Sequence, residues 1–277
     1  EQINLEKVHK MVEFACDGLS NVAASQVEIS SGLQFFDGIK SAEIQEILVK
    51  SASDLIDLEH PNYQYVAARL LLFGLEKSVH GHPDTPPPLL DHIRTCIDGG
   101  VYDPSITTKY TPDEWKEIDS YIDYDRDMLF TYAGLRQVVD KYLVQDRSSN
   151  KVFETPQYMY MMIAATLFQQ YKENRLDYVR RYYDAISKHR INIPTPIMAG
   201  VRTPLRQFAS CVLVDVDDTL NSIFSSDMAI GYYVAQRAGI GINAGRIRGI
   251  NAKIRDGEVQ HTGVVPFLKK FESTVRS

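Results

Sequence analysis

The chain has 277 residues, enough for one or two domains with a sizeable core. Its 44% hydrophobic and 24% charged residues suit a globular protein, and no run reaches the roughly 18 apolar residues of a membrane span. A net charge of −6 argues against broad nucleic-acid binding, and three scattered cysteines (Cys16, Cys96, Cys211) make neither a disulfide scaffold nor a zinc site, so a reducing, cytoplasmic setting is expected.

The opening Glu1-Gln2-Ile3-Asn4 is neither basic nor apolar and does not read as a signal peptide. Because it begins on Glu, native residues are expected before it. Leu5, Val8, Val12 and Ala15 recur at helical spacing, and Cys16 continues that helix as a small packed thiol. Gly38 to Ser41 then turns into a second helix, with Ser41 its expected N-cap and Ile44, Ile47, Leu48 and Leu55 its apolar stripe. A third helix is predicted from Tyr63 to Val79, stopped by Gly81 and the proline-rich Pro83 to Pro88. Helices are predicted over 88–97, 112–142, 156–172 and 174–189, with a hairpin between Leu143 and Glu154 around Asp146-Arg-Ser-Ser-Asn150. Cys96 falls in an apolar helix as packing.

The character changes after His189. Residues 191–204 cluster proline, glycine and small residues, which disfavour a long helix. A strand follows from Phe208 to Val216, and its consecutive Val212-Leu213-Val214 predicts burial on both faces. Asp217, Asp218 or Thr219 can cap the next helix, through Ile223, Ile230 and Val234. The glycine-rich 237–248 has strand character, and a helix is predicted from about Val265 to Val275. The expected fold class is therefore α+β followed by α/β: a mainly helical N-terminal region, then strands and helices.

Four blocks in order carry a resemblance: PTPIMAGVRTPLRQFASCV (194–212), DDTL (217–220), QRAGIGINAGRIR (236–248) and HTGVVPF (261–267). PNYQYVAARLL (61–71) and YIDYDRDMLFTYAG (121–134) fit the same register. Together they resemble the N-terminal half of the class I ribonucleotide reductase large subunit. The resemblance implies three domains: an ATP-cone at 1–81 lacking its first strand, a helical domain at 82–205, and the first part of the ten-stranded α/β barrel at 206–277. It also implies chemistry in which a thiyl radical removes a ribose hydrogen. A cysteine pair then supplies two electrons as the 2′-hydroxyl leaves.

Within that resemblance, Cys211 matches one redox-active thiol, the catalytic residue expected here. Thr195, Ser210, Cys211, Ala238 and Gly239 match the substrate pocket, where small residues let backbone approach a ribonucleoside diphosphate. Asp218, Thr219, Leu220, Arg248, Ile254 and Arg255 match the specificity site for a deoxynucleotide at the homodimer interface, with arginines suited to phosphate. Glu1, Asn4, Lys7, Ser41 and Lys77 match the cone's ATP/dATP site. No metal site and no covalently bound cofactor are expected; Mg-bound nucleotides act as effectors, and a diiron-tyrosyl radical comes from a small subunit. The remaining C-terminal part of the large subunit and thioredoxin or glutaredoxin complete the partners, with no nucleic acid and no membrane. The resemblance places the radical cysteine and the second redox cysteine beyond Ser277, so the chain alone is expected to be inactive.

Two other readings remain open at this level. Asp215-Val-Asp217-Asp-Thr219 after an apolar strand looks like the first motif of haloacid-dehalogenase-type phosphatases, with Asp215 as nucleophile and Asp217 as acid/base around Mg²⁺. Too little chain follows for that motif's lysine and acidic loop. The other reading is a non-catalytic, nucleotide-binding regulatory piece.

Overall fold

A computed structural model describes residues 4–36, 38–81 and 86–277. The chain divides into two compact units, Glu1–Leu205 and Arg206–Ser277.

In the first unit, α1 (Leu5–Cys16) is opened by Asn4, whose side-chain oxygen accepts from the Lys7 amide at 3.1 Å. Helices α2 (Ala24–Gly32), α3 (Ser41–Asp54) and α4 (Tyr63–His80) follow, and Gly81 ends α4 in the left-handed conformation at φ 80°. Val12, Ala15, Val27, Leu48, Ala52, Val66, Ala67 and Leu70 form the shared core of these four helices. Sequence periodicity did not anticipate α2, because its ASQVEISSG contributes little apolar face beyond the buried Val27. Ser41 is also not the cap. It is the first helical residue, and the Glu43 carboxylate reaches back to accept from the Lys40 amide at 2.9 Å. Within the expected boundary near residue 82, positions 82–85 lie outside the described residues.

A second core in this unit is built by α5 (Leu89–Asp98), α6 (Pro112–Asp119), α7 (Tyr132–Gln137), α8 (Pro156–Phe168), α9 (Arg175–Ser187) and α10 (Thr195–Gly200). The single helix expected over 112–142 is broken into α6, a 3-10 turn (Tyr124–Leu129), α7 and a π turn (Val138–Tyr142). Polar demands from elsewhere in the fold break it. Arg126 is drawn to Asp184 at 2.7 Å and Ser187 at 2.7 Å, and buried Asp127 accepts from Gln157 at 2.6 Å. The Thr131 hydroxyl then starts α7 by accepting from the Gly134 amide at 3.3 Å. The expected hairpin is present as β1 (Gln145–Asp146) and β2 (Lys151–Val152), paired antiparallel.

In the second unit, β3 (Cys211–Asp215) leads through α11 (Leu220–Ala235) to β4 (Gly239–Asn243), which pairs with β3 in parallel, Cys211 opposite Gly239 and Asp215 opposite Asn243. This is the β-α-β unit from which α/β barrels are assembled. An antiparallel pair, β5 (Ile250–Ile254) with β6 (Val259–Thr262), and the closing α12 (Val265–Arg276) follow. Val216, Ile223, Ile230, Ala244, Ile247 and Phe271 form its core. Burial of β3 on both faces is not observed. Val212 and Val214 are half-buried, while Leu213 is 86% exposed, because α11 packs the strand's other face. Among the described residues no helix is long and apolar enough to cross a membrane.

Candidate active site and effector sites

Of the three cysteines, Cys16 is half-buried and Cys96 fully buried, whereas Cys211 is exposed at the head of β3. Burial pushes both the Cys16 and the Cys96 thiols up, which makes them poor nucleophiles. Cys96 is further enclosed by His92 Nε2 at 3.5 Å and the Phe153 carbonyl at 3.7 Å. The accessible thiol is Cys211.

The parallel pairing determines what surrounds it. The Gly239 amide donates to the Ser210 carbonyl at 2.9 Å, and the Ala238 amide to the Tyr233 carbonyl at 3.0 Å. A methyl at position 239 would lie 3.5 Å from the Ser210 oxygen and 3.9 Å from Cys211 Sγ, ordinary contact distances. The fold of this unit therefore does not require glycine there; its bareness leaves space over the thiol. Ser210, Cys211, Ala238 and Gly239 are thus brought to one end of the strand pair. Thr195 belongs to the first unit, where it begins α10 with its hydroxyl 3.3 Å from Tyr142 Oη.

Of the residues expected to bind a deoxynucleotide effector, Asp218, Thr219 and Leu220 follow the opposite end of β3, where Arg248 joins them. The Thr219 hydroxyl caps α11 by accepting from the Ser222 amide at 3.1 Å, and Leu220 next to it is exposed. Asp218 and Arg248 meet: Arg248 Nε donates to Asp218 Oδ2 at 2.6 Å and the Arg248 amide to Oδ1 at 3.0 Å. The Arg248 amide, and then its guanidinium, hold the Asp218 carboxyl below its usual range. Arg248 Nη1 also donates at 3.3 Å to the carbonyl of Lys253, the residue that precedes Ile254 in β5. Arg255 itself is exposed and begins a left-handed turn with Asp256 and Gly257.

The phosphatase-like carboxylates are held differently from what that reading needs. Arg246 bridges them, at 3.1 Å from Asp215 and 2.9 Å from Asp217, and Asn243 donates to Asp215 at 2.7 Å. A cation of the protein occupies the place between the two carboxylates.

Of the cone residues, Glu1 lies outside the described residues. Asn4 caps α1, and Lys7 is exposed one turn on. Ser41 and Lys77 line a single cleft of about 730 Å³, together with Gln45, Glu46, Lys50 and Arg136. The cleft's lining does not include Asn4 or Lys7.

Comparison with known proteins follows these features along the chain. Residues 1–78 match the ATP cone domain, 128–206 the all-alpha domain of ribonucleotide reductase, and 209–277 its barrel domain. The chain belongs to the class I ribonucleotide reductase large-subunit family. The ribonucleoside-diphosphate reductase subunit alpha of Haemophilus influenzae is 51% identical over 278 residues, which covers 100% of this chain and 37% of the relative. The reductase 1 subunit alpha of Escherichia coli is 50% identical over 278 residues, 100% of this chain and 36% of the relative. The ribonucleoside-diphosphate reductase subunit alpha of Helicobacter pylori is 32% identical over 270 residues, 97% of this chain and 33% of the relative. The chain therefore spans little more than a third of the length of these reductase subunits. The family matches give the phosphatase reading no support.

A buried ion pair escaped the sequence reading. Arg202 and Glu154, both 0% exposed, bond to each other through three guanidinium-to-carboxylate contacts. The only sequence signal is a charge in each of two otherwise apolar stretches, VFETP and AGVRTP, nearly fifty positions apart. Nothing local says that they pair.

Proposed function

We propose that this chain contributes one wall of the substrate pocket and the allosteric nucleotide sites of a ribonucleoside-diphosphate reductase. The observation that carries the reading is the exposed Cys211 thiol at the strand head, with bare Gly239 opposite it. Cys211 acts as one of two thiols that together deliver two electrons to the ribose as its 2′-hydroxyl leaves as water. The pair ends as a disulfide, which thioredoxin or glutaredoxin reduces by exchange. The second thiol, the thiyl radical site and the acid/base residues are provided by the remaining part of the large subunit, and the radical originates in a diiron-tyrosyl small subunit. Thr195, Ser210, Ala238 and Gly239 hold the nucleotide: hydroxyls toward its oxygens, small residues where backbone comes close.

Asp218, Thr219, Leu220, Arg248, Ile254 and Arg255 bind a deoxynucleotide effector, in keeping with the Asp218–Arg248 pair and its bond to the Lys253 carbonyl beside Ile254. Homodimerisation beside that site is supported by α11 itself, whose Leu220, Phe224, Met228 and Tyr232 recur every four residues as an exposed apolar stripe. Asn4, Lys7, Ser41, Lys77 and Glu1 bind ATP or dATP in the cone, in keeping with the shared cleft of Ser41 and Lys77.

The test is to mix the chain with a polypeptide covering the rest of the large subunit, add small subunit and reductant, and measure deoxyribonucleotide formation. Cys211→Ser is expected to abolish turnover while deoxynucleotide binding survives. Turnover retained in that variant would remove Cys211 from the chemistry.

A further inference from the structure

Thr195 does not stand alone. Its hydroxyl is 3.3 Å from Tyr142 Oη, which in turn accepts from Gln137 Nε2 at 3.0 Å. The backbone on either side of this chain of bonds is held by one guanidinium. Arg202 Nη2 donates to the Tyr142 carbonyl at 2.9 Å, and Nη1 donates to the Met198 carbonyl, within α10, at 2.5 Å. Its remaining edge is taken by Glu154, which also accepts from the Val144 amide at 2.8 Å and from Tyr102 Oη.

Burying a charged pair is a poor route to stability, since well-packed apolar residues of the same size commonly do as well or better. What this pair achieves is geometric: it ties the turn carrying Tyr142 to the helix carrying Thr195. The bond directions then matter. An amide nitrogen such as Gln137 Nε2 can only donate, so Tyr142 Oη accepts from it and its own proton is free to point at Thr195 Oγ1. Thr195 Oγ1 is then an acceptor on that side, and its proton is left for a third partner. Such a relay polarises each hydroxyl in turn and favours an anionic oxygen at its end.

We infer that Tyr142 and Gln137, framed by the buried Arg202–Glu154 pair, are positioning residues that set Thr195 as a hydrogen-bond donor to a phosphate oxygen of the nucleotide substrate. This rests on the reading of Thr195 as a substrate-pocket residue. It adds the groups that orient its hydroxyl and the sign of the partner that the hydroxyl selects.

A double-mutant cycle on nucleotide affinity tests it. The chain is assembled with the rest of the large subunit in a Cys211→Ser background, so that the measurement is of binding alone and is independent of the redox assignment. The Kd of a ribonucleoside diphosphate is measured for Tyr142→Phe, Thr195→Val and both together. Tyr142→Phe is expected to weaken binding roughly 3- to 10-fold, the size of one neutral hydrogen bond. The double variant should bind no more weakly than Thr195→Val alone. Thr195→Ser, which keeps the hydroxyl, should restore both the affinity and the sensitivity to Tyr142→Phe. A purely structural role for Tyr142 predicts equal losses with or without the Thr195 hydroxyl, and that result overturns the inference while leaving Thr195 in the pocket. Thr195→Val with unchanged Kd overturns the inference together with the placement of Thr195.

Discussion

Removing one partner of the Arg202–Glu154 pair should be among the most damaging single changes available in the first unit. In Arg202→Met the Glu154 carboxylate stays at 0% exposure and keeps, among the described residues, the Val144 amide and the Tyr102 hydroxyl as donors. The Tyr142 and Met198 carbonyls lose their guanidinium donors as well. An uncompensated buried charge of this kind costs about 3–5 kcal/mol. For a unit of roughly two hundred residues, at ~2–4 °C per kcal/mol, that lowers the melting temperature by about 6–20 °C. The sole tryptophan reports on the same core: Trp115 is buried there with Tyr102, Tyr142, Phe153 and Met198. Its fluorescence during urea unfolding is therefore the assay. Adding Glu154→Gln to Arg202→Met removes the stranded charge but keeps an oxygen for the Val144 amide, and should recover roughly 1–2 kcal/mol of the loss. A loss below about 1 kcal/mol for Arg202→Met, or a double variant no better than the single, would refute the account of the pair as a buried charge held by its partner.

Two further outcomes follow from packing and burial. Gly99→Ala would place a methyl against the buried Phe153 ring and should cost about 1–3 kcal/mol, whereas Gly241→Ala meets only the free Cδ2 of exposed Leu213 at 2.6 Å and should cost far less; equal shifts in the two urea midpoints would contradict this. Burial raises the Asp127 carboxyl to about 8, so the folded chain keeps a proton that the unfolded chain releases above about pH 4. Asp127 therefore lowers stability as pH rises from about 4 to 8, and Asp127→Asn should gain stability over wild type progressively across that window; a difference that is flat or shrinking with pH would count against it. His92, whose burial depresses it to about 3, acts in the opposite sense below its unfolded value of about 6.5, where the unfolded chain takes up a proton that the folded one refuses. The Asp127→Asn protein should therefore show the cleaner acid-side fall in unfolding midpoint.

The features legible in the sequence were those whose signal is local. Apolar spacing located α1, α3 and α11, because a helix must turn its apolar side to whatever it packs on, and α4, α8, α9 and α12 also fell within a few residues of their expected ranges, α8 as an apolar stretch buried on all sides. The Gly81 stop was legible because it satisfies the backbone of its own helix, and Thr219 stood among three adjacent candidates for the α11 cap, between which the structure decided. Ordered motif blocks identified the family, and the comparisons agree.

The tertiary structure decided what depends on partners far away in the chain. It broke 112–142 into pieces, because Arg126 and Asp127 are satisfied by residues of α8 and α9, and a continuous helix could not present both. It left one face of β3 open, where an apolar run alone had suggested burial on both. It joined Asp218 to Arg248 and Glu154 to Arg202, pairs separated by 30 and 48 positions. A charge carries no mark of its partner in the sequence, because what selects the partner is proximity in a desolvated place, and only the folded chain creates that place.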